Sequence, residues 1–214
     1  MNSKTKKLTT IAMLCAIAYV AMALFRIPVI LFLKYEPKDV IITLGGLIWG
    51  PMTSFIVSLI VSLIEMMTLS DTGIWGLIMN VISTCAFACT ASAIYKHRRT
   101  LLGAVIGLLC GCVVMVGTMM LWNYLITPFY MGVSREEVAK LLIPAFLPFN
   151  LLKAGLNAAI TFLLYRPVVG ALRRSGVVST ANSETKKGHI GLIILSFVII
   201  ITCVLFILSM NKII

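Results

Sequence analysis

The chain has 214 residues, of which 60% are hydrophobic and 12% charged, with a mean hydropathy of +1.07 and a formal charge of +11. A soluble domain keeps about 25% of its residues charged to cover its surface, so a water-soluble globule is excluded and the solvent is lipid. Bare backbone finds no partners in lipid, so only helices or closed barrels span it. Barrel strands would alternate apolar and polar residues over about 10 positions, and the long unbroken apolar runs here exclude them.

The first apolar run, 8–25, follows Lys4, Lys6 and Lys7. It lacks a convincing small-residue cleavage site and reads as a retained helix rather than a signal peptide. A polar loop with two prolines and mixed charges follows. A short second helix is expected over 40–49, then a tight turn at Gly50-Pro51 and a third helix over 52–69. After the loop Ser70-Asp71-Thr72-Gly73, a fourth helix is expected over 74–95, ending at Lys96-His97-Arg98-Arg99. A fifth follows over 101–126, then a polar loop over 127–140. A sixth, over 141–172, is expected to break near Pro144 and Pro148. Residues 175–187 form a polar cytoplasmic linker, and the apolar run 190–210 is long enough for a seventh span. The expected fold is therefore an all-α membrane protein. Residues 1–174 form a six-transmembrane-helix unit, and 188–214 carry an extra C-terminal transmembrane helix.

The charges set an orientation. One side carries Lys4, Lys6, Lys7, Lys96, Arg98, Arg99, Arg166, Arg173, Arg174, Lys186 and Lys187 against the single acid Glu184. The other side mixes Arg26, Lys34, Lys38, Arg135, Lys140 and Lys212 with Glu36, Asp39, Asp71, Glu136 and Glu137. By the positive-inside rule the first side is cytoplasmic, and with it the N-terminus. The positive charge is thus a topology signal and not a nucleic-acid footprint.

Enzymatic chemistry has little to stand on. There is no GxxxxGK[ST] phosphate loop and no HExxH, and His97 and His189 sit in basic segments. All six cysteines lie in apolar runs without metal-ligand spacing, so no metal and no cofactor is expected.

Polar groups inside apolar runs are costly in lipid and face a cavity or another helix. Lys153 is the clearest such charge. Asn150, Lys153 and Asn157 are spaced by three and four and share one helical face. Snorkelling explains one such residue well and three in register poorly. A ligand-facing stripe is therefore the better reading. Asn123, between Trp122 and Tyr124, fits either a ligand site or an interfacial aromatic belt. Asn80 and Glu65 are further polar candidates. Amides and aromatic rings gathered at one end of a bundle suit a planar, polyhydroxylated solute. In the first helix Ala12 and Ala16 form a small-xxx-small pair, which serves either packing within the bundle or docking of a separate membrane subunit.

Four stretches together carry a family likeness: TTIAMLCAIAYV, LKYEPKDV, WNYLITPFYMG and PFNLLKAGLNAAITFLLYRP. Over about residues 8–174 the chain resembles the riboflavin-specific S-components of energy-coupling-factor (ECF) vitamin transporters. The seventh apolar run departs from that six-helix pattern. The resemblance implies a bacterial plasma-membrane protein that binds riboflavin from outside as transported substrate and is not itself an enzyme. It implies that Asn123, Asn150 and Lys153 hydrogen-bond the ligand. Leu33, Lys34, Tyr35 and Glu36 of the first loop would close over it, and Gly73 and Asn80 would line the rest. A membrane coupling subunit, the T-component, would dock on Ala12 and Ala16, with two ATPase subunits beside it. The S-component would then topple to present its pocket to the cytoplasm. The rival readings are an S-component for thiamine, biotin or pantothenate, and a membrane scaffold whose polar residues only join helices.

Overall fold

The computed structural model describes residues 3–174 and 190–210; the expected linker at 175–187 lies outside them. The first helix, α1, spans Ser3–Leu24. Where an irregular loop was expected, the chain forms a small antiparallel hairpin, β1 (Ile27–Ile30) and β2 (Leu33–Tyr35). It pairs Ile27 with Tyr35, Pro28 with Lys34 and Ile30 with Leu33, with an irregularity between Pro28 and Ile30. Its turn places Leu31 at φ 51°, an uncommon conformation for a residue with a Cβ.

α2 spans Lys38–Trp49 and α3 spans Pro51–Thr68. Gly50 joins them at φ 100°, which favours glycine, and Pro51 starts the next helix where its missing N–H costs nothing. α2 has 12 residues, about 18 Å at 1.5 Å per residue. That is too short to cross a hydrocarbon layer of about 30 Å. The expected short second helix is thus an interior one. It packs against α1, α3 and α4, and nearly every residue from Lys38 to Leu47 is buried. Its polar groups are shielded from lipid by protein.

α4 (Gly73–Arg98) and α5 (Leu101–Leu125) form a tight antiparallel pair. A Cβ on Gly107 would lie 2.7 Å from the Ala91 carbonyl oxygen, and one on Gly111 would lie 2.8 Å from that of Phe87. This Gly-xxx-Gly spacing lets two backbones touch in lipid. Gly107→Val is expected to push the pair apart and cost about 1–3 kcal/mol, read as a lower melting temperature in detergent.

The expected loop 127–140 holds two short helices, α6 (Thr127–Met131) and α7 (Arg135–Leu141). Ser134 and Glu137 close a capping box at the start of α7. The expected break near Pro144 and Pro148 is instead a π-helical turn, Leu142–Phe146, in which Leu147 N–H reaches the Leu142 carbonyl. It absorbs the prolines' missing donors, and α8 (Leu147–Arg174) continues beyond it.

Among the described residues, five helical stretches are long and apolar enough to cross a membrane: α3, α4, α5, the continuous stretch Arg135–Ala171, and Gly191–Ser209. The apolar part of α1, Leu8–Leu24, is shorter. The last stretch lies in α9, Ile190–Met210. α9 runs antiparallel to α8, with Ile199 and Cys203 near Gly155, and its Ile207 joins the core under the hairpin with Val29 and Tyr35. Large apolar side chains such as Leu109, Val113 and Phe197 stand open on the outer faces of these helices, where lipid covers them.

Candidate functional site

Two sets of buried charge lie where α2 begins, beneath the hairpin. In the first, Lys38 bridges two carboxylates, Glu36 at 2.6 Å and Glu65 on α3. Arg26 reaches the same two acids. Its Nε lies 2.8 Å from Glu36, an ionic contact rather than an aligned hydrogen bond, and its Nη2 lies 3.4 Å from Glu65. Asn80 Nδ2 donates to both Glu65 oxygens, at 3.1 and 3.0 Å. Burial works against a charged Glu36, but Lys38, Lys153 and Arg26 overcome it and hold that carboxyl below its usual range.

In the second set, Asp39 is fully buried. Thr84 Oγ1 donates to its Oδ1 at 2.6 Å and Asn157 Nδ2 to its Oδ2 at 3.2 Å. Lys153 Nζ lies 3.2 Å from the same Oδ2. Together, Arg26, Lys38 and Lys153 cancel Glu36, Asp39 and Glu65. Unpaired charges at this depth would be prohibitive, whereas a neutral, hydrogen-bonded set persists.

Above these charges opens a cavity of about 700 Å³, counting the space up to its mouth. Leu33, Lys34 and Glu36 of the hairpin segment, Asn80 of α4, and Asn150 and Lys153 of α8 line it. Arg26, Phe32, Glu65, Asp71, Thr72, Met79, Ser83, Met119, Tyr130 and Phe149 complete the wall. Lys34 pairs with Asp71 across the rim and ties the hairpin to the α3–α4 loop. The hydrogen bond from Lys34 also holds the exposed Asp71 carboxyl below its usual range. A smaller cleft of about 260 Å³ adjoins the cavity and shares Phe32, Thr72, Met79 and Tyr130 with it. Trp75 and Trp122 line this cleft, so one end of the site is aromatic and the other polar.

Three expected site residues stand elsewhere. Asn123 is fully buried behind the cleft, its Oδ1 accepting from Thr127 Oγ1 at 3.1 Å. Thr127 lines the cleft; Asn123 does not. Tyr35 shares the inward face of β2 with Leu33 and packs into the apolar core with Phe146, Phe149 and Ile207. Burial pushes its phenol up. Gly73 begins α4 at φ 54° beside Thr72 and does not reach the wall. The expected stripe on α8 also divides. Asn150 and Lys153 face the cavity, while Asn157, one turn on, is fully buried and serves Asp39. Asn150 Nδ2 is itself tied to the Phe146 carbonyl at 2.8 Å, one turn back in the proline-bearing segment.

Sequence reasoning placed Lys38 and Asp39 among the outer loop charges; both are fully buried. Lys153 has Asp39 as its counter-charge. Glu65, a further polar candidate, is paired with Lys38 and Arg26. The available signal was the abrupt start of an apolar helix at Val40, which makes Lys38 and Asp39 its first turn. On α1, Ala12 and Ala16 are exposed, whereas Cys15 and Ala18 turn into the bundle. The small-residue face is therefore left open rather than used for internal packing.

Residues 6–165 match the model of a protein family described as the ECF transporter, substrate-specific component. The chain belongs to this family. This S-component is 30% identical to a protein named riboflavin transporter RibU from Staphylococcus aureus (strain TCH60), over 80% of this chain and 94% of the relative. It is also 30% identical to a protein named riboflavin transporter FmnP from Bacillus subtilis (strain 168), over 75% of this chain and 90% of the relative. A solved structure, titled as the S component of a bacterial ECF transporter, superposes with a TM-score of 0.69 at 30% identity. That match covers 80% of this chain and all of the solved one. The family match ends within α8, so α9 lies beyond it. Membership makes this S-component a bacterial membrane transport protein that associates with coupling and ATPase subunits.

Proposed function

We propose that this S-component binds riboflavin in the cavity beneath the hairpin and hands it to the cytoplasm when assembled with its partners. The observation that carries the reading is the pairing of a polar-walled cavity with an adjoining aromatic cleft that shares Phe32, Thr72, Met79 and Tyr130 with it. Riboflavin has a flat apolar ring system and a polyhydroxylated side chain, and it carries no net charge. The cleft of Phe32, Trp75, Trp122 and Tyr130 offers rings against the flat part. Asn80, Asn150, Lys153 and Glu36 offer donors and acceptors to the hydroxyls and ring heteroatoms. The buried charges cancel, so the site favours a neutral guest. Both curated relatives are named riboflavin transporters, which supports the same cargo here.

In this reading the hairpin is the lid, latched at the rim by Lys34 and Asp71. The positive-inside distribution puts the N-terminus in the cytoplasm and the cavity toward the outside. Transport then needs a membrane coupling subunit and two ATPase subunits, because the chain has no phosphate loop of its own. The coupling subunit docks on the open Ala12 and Ala16 face. Ala12→Trp and Ala16→Trp are expected to abolish riboflavin uptake in cells and leave binding to the purified protein unchanged. Lost binding with intact assembly would show that the face is misplaced. For the cargo, competition against bound flavin is the test. Thiamine, biotin and pantothenate should fail to displace riboflavin, and displacement by one of them would transfer the assignment to that vitamin.

A further inference from the structure

We propose that Asp39 is a positioning residue for ligand binding: without touching the ligand, its carboxylate fixes the Lys153 ammonium at the cavity wall. The inference rests on the ligand reading above. Asp39 is fully buried and absent from the wall, whereas Lys153 lines it. The carboxylate has three partners from two helices besides its own: Thr84 on α4, and Asn157 and Lys153 on α8. With Thr84 on Oδ1 and Asn157 on Oδ2, the carboxylate is oriented before Lys153 meets it. Glu36, the acid of the adjoining wall, is taken up by Arg26 and Lys38. Asp39 is thus the acid that receives Lys153.

A lysine side chain has several rotatable bonds and no fixed fork geometry. Left free in a cavity, it would have to be ordered each time a ligand bound. Pairing with a locked carboxylate removes that cost beforehand, which is preorganisation. The carboxylate also keeps one helix turn of α2 in register with α4 and α8, so the α2 start carries the positioning of an α8 group.

The test is a double-mutant cycle on the purified full-length protein, with riboflavin affinity as the readout and ligand-free melting temperature recorded beside it. Asp39→Asn, close in shape, is expected to weaken binding about tenfold, the scale of ordering one long side chain. Lys153→Met is expected to weaken it at least as much. In the Lys153→Met background, Asp39→Asn should cause no further loss. A role in stability alone would give the same loss in both backgrounds, and that result overturns the proposal. So does an unchanged affinity in Asp39→Asn when Lys153→Met binds poorly. If Lys153→Met itself binds normally, the ligand reading fails first. Should Asp39→Asn not fold, Thr84→Val removes the Oδ1 donor more gently. It should show the same pattern, a loss with Lys153 present and none without it, and an equal loss in both overturns the proposal.

Discussion

Lys38→Met is expected to destabilise the folded protein by about 3–5 kcal/mol, the cost of breaking a buried ion pair by removing one partner. Lys38 has no exposed surface and sits between Glu36 and Glu65. Without it, two buried carboxylates share only Arg26, which approaches Glu65 no closer than 3.4 Å. One acid must then take up a proton or draw in water, and the start of α2 loses its tie to α3. The loss should appear as a lower melting temperature in detergent without ligand. Lys34→Met, at the exposed Lys34–Asp71 pair, should leave the melting temperature nearly unchanged, because exposed pairs contribute little. Combining Lys38→Met with Glu65→Gln should recover part of the loss, since it removes one of the stranded charges. Equal melting temperatures for Lys38→Met and the unaltered protein would contradict the charge-balanced core.

Lys153→Ala is expected to have the largest effect on ligand affinity. A hydrogen bond to a charged group contributes about 1.5–3 kcal/mol, a weakening of roughly 10- to 150-fold. Asn150→Ala removes a neutral partner, worth about 0.5–1.5 kcal/mol, so its loss should be the smaller of the two. Lys153→Ala also takes a partner from Asp39, but Thr84 and Asn157 remain. The melting temperature should therefore fall less than in Lys38→Met, even though binding falls more. That crossed pattern separates the wall residue from the buried brace. Similar losses of both kinds in the two variants would contradict it.

These expectations show what the sequence made legible. Composition and unbroken apolar runs were enough for a helical membrane protein, because lipid leaves the backbone few alternatives. The i, i+3 spacing of Asn150 and Lys153 was enough to put both on one helix face, because a helix fixes its own faces, and in the fold that stretch of the face meets the cavity. Asn157 shares that face and still turns to Asp39, 118 residues away in sequence. A spacing rule knows the helix but not its neighbours. The same limit hid the roles of Lys38 and Asp39. Charged residues before an apolar run resemble a solvated loop, and only the arrival of Glu65, Thr84 and Lys153 from other helices makes burial affordable. The hairpin escaped notice because its strands have four and three residues, too few for an alternation signal. α2 was seen as short, yet its interior position depended on helices that pack around it. Asn123 was correctly seen as an unusual amide among aromatic residues. Its place behind Thr127 depended on the α5–α6 corner, which periodicity does not describe.

α9 shows a different limit. Its length and hydropathy were plain from the sequence. Its packing was not, because a uniformly apolar helix announces no preferred face. The structure lays it along α8 through Gly155, with Ile207 beneath the hairpin.

The central claim is that the cavity binds riboflavin, and calorimetric titration of the purified full-length protein tests it most directly. The account predicts saturable one-to-one binding of riboflavin that Lys153→Ala weakens at least tenfold. An absence of binding by a folded, monodisperse preparation, or an affinity that Lys153→Ala and Asn150→Ala both leave unchanged, would contradict it.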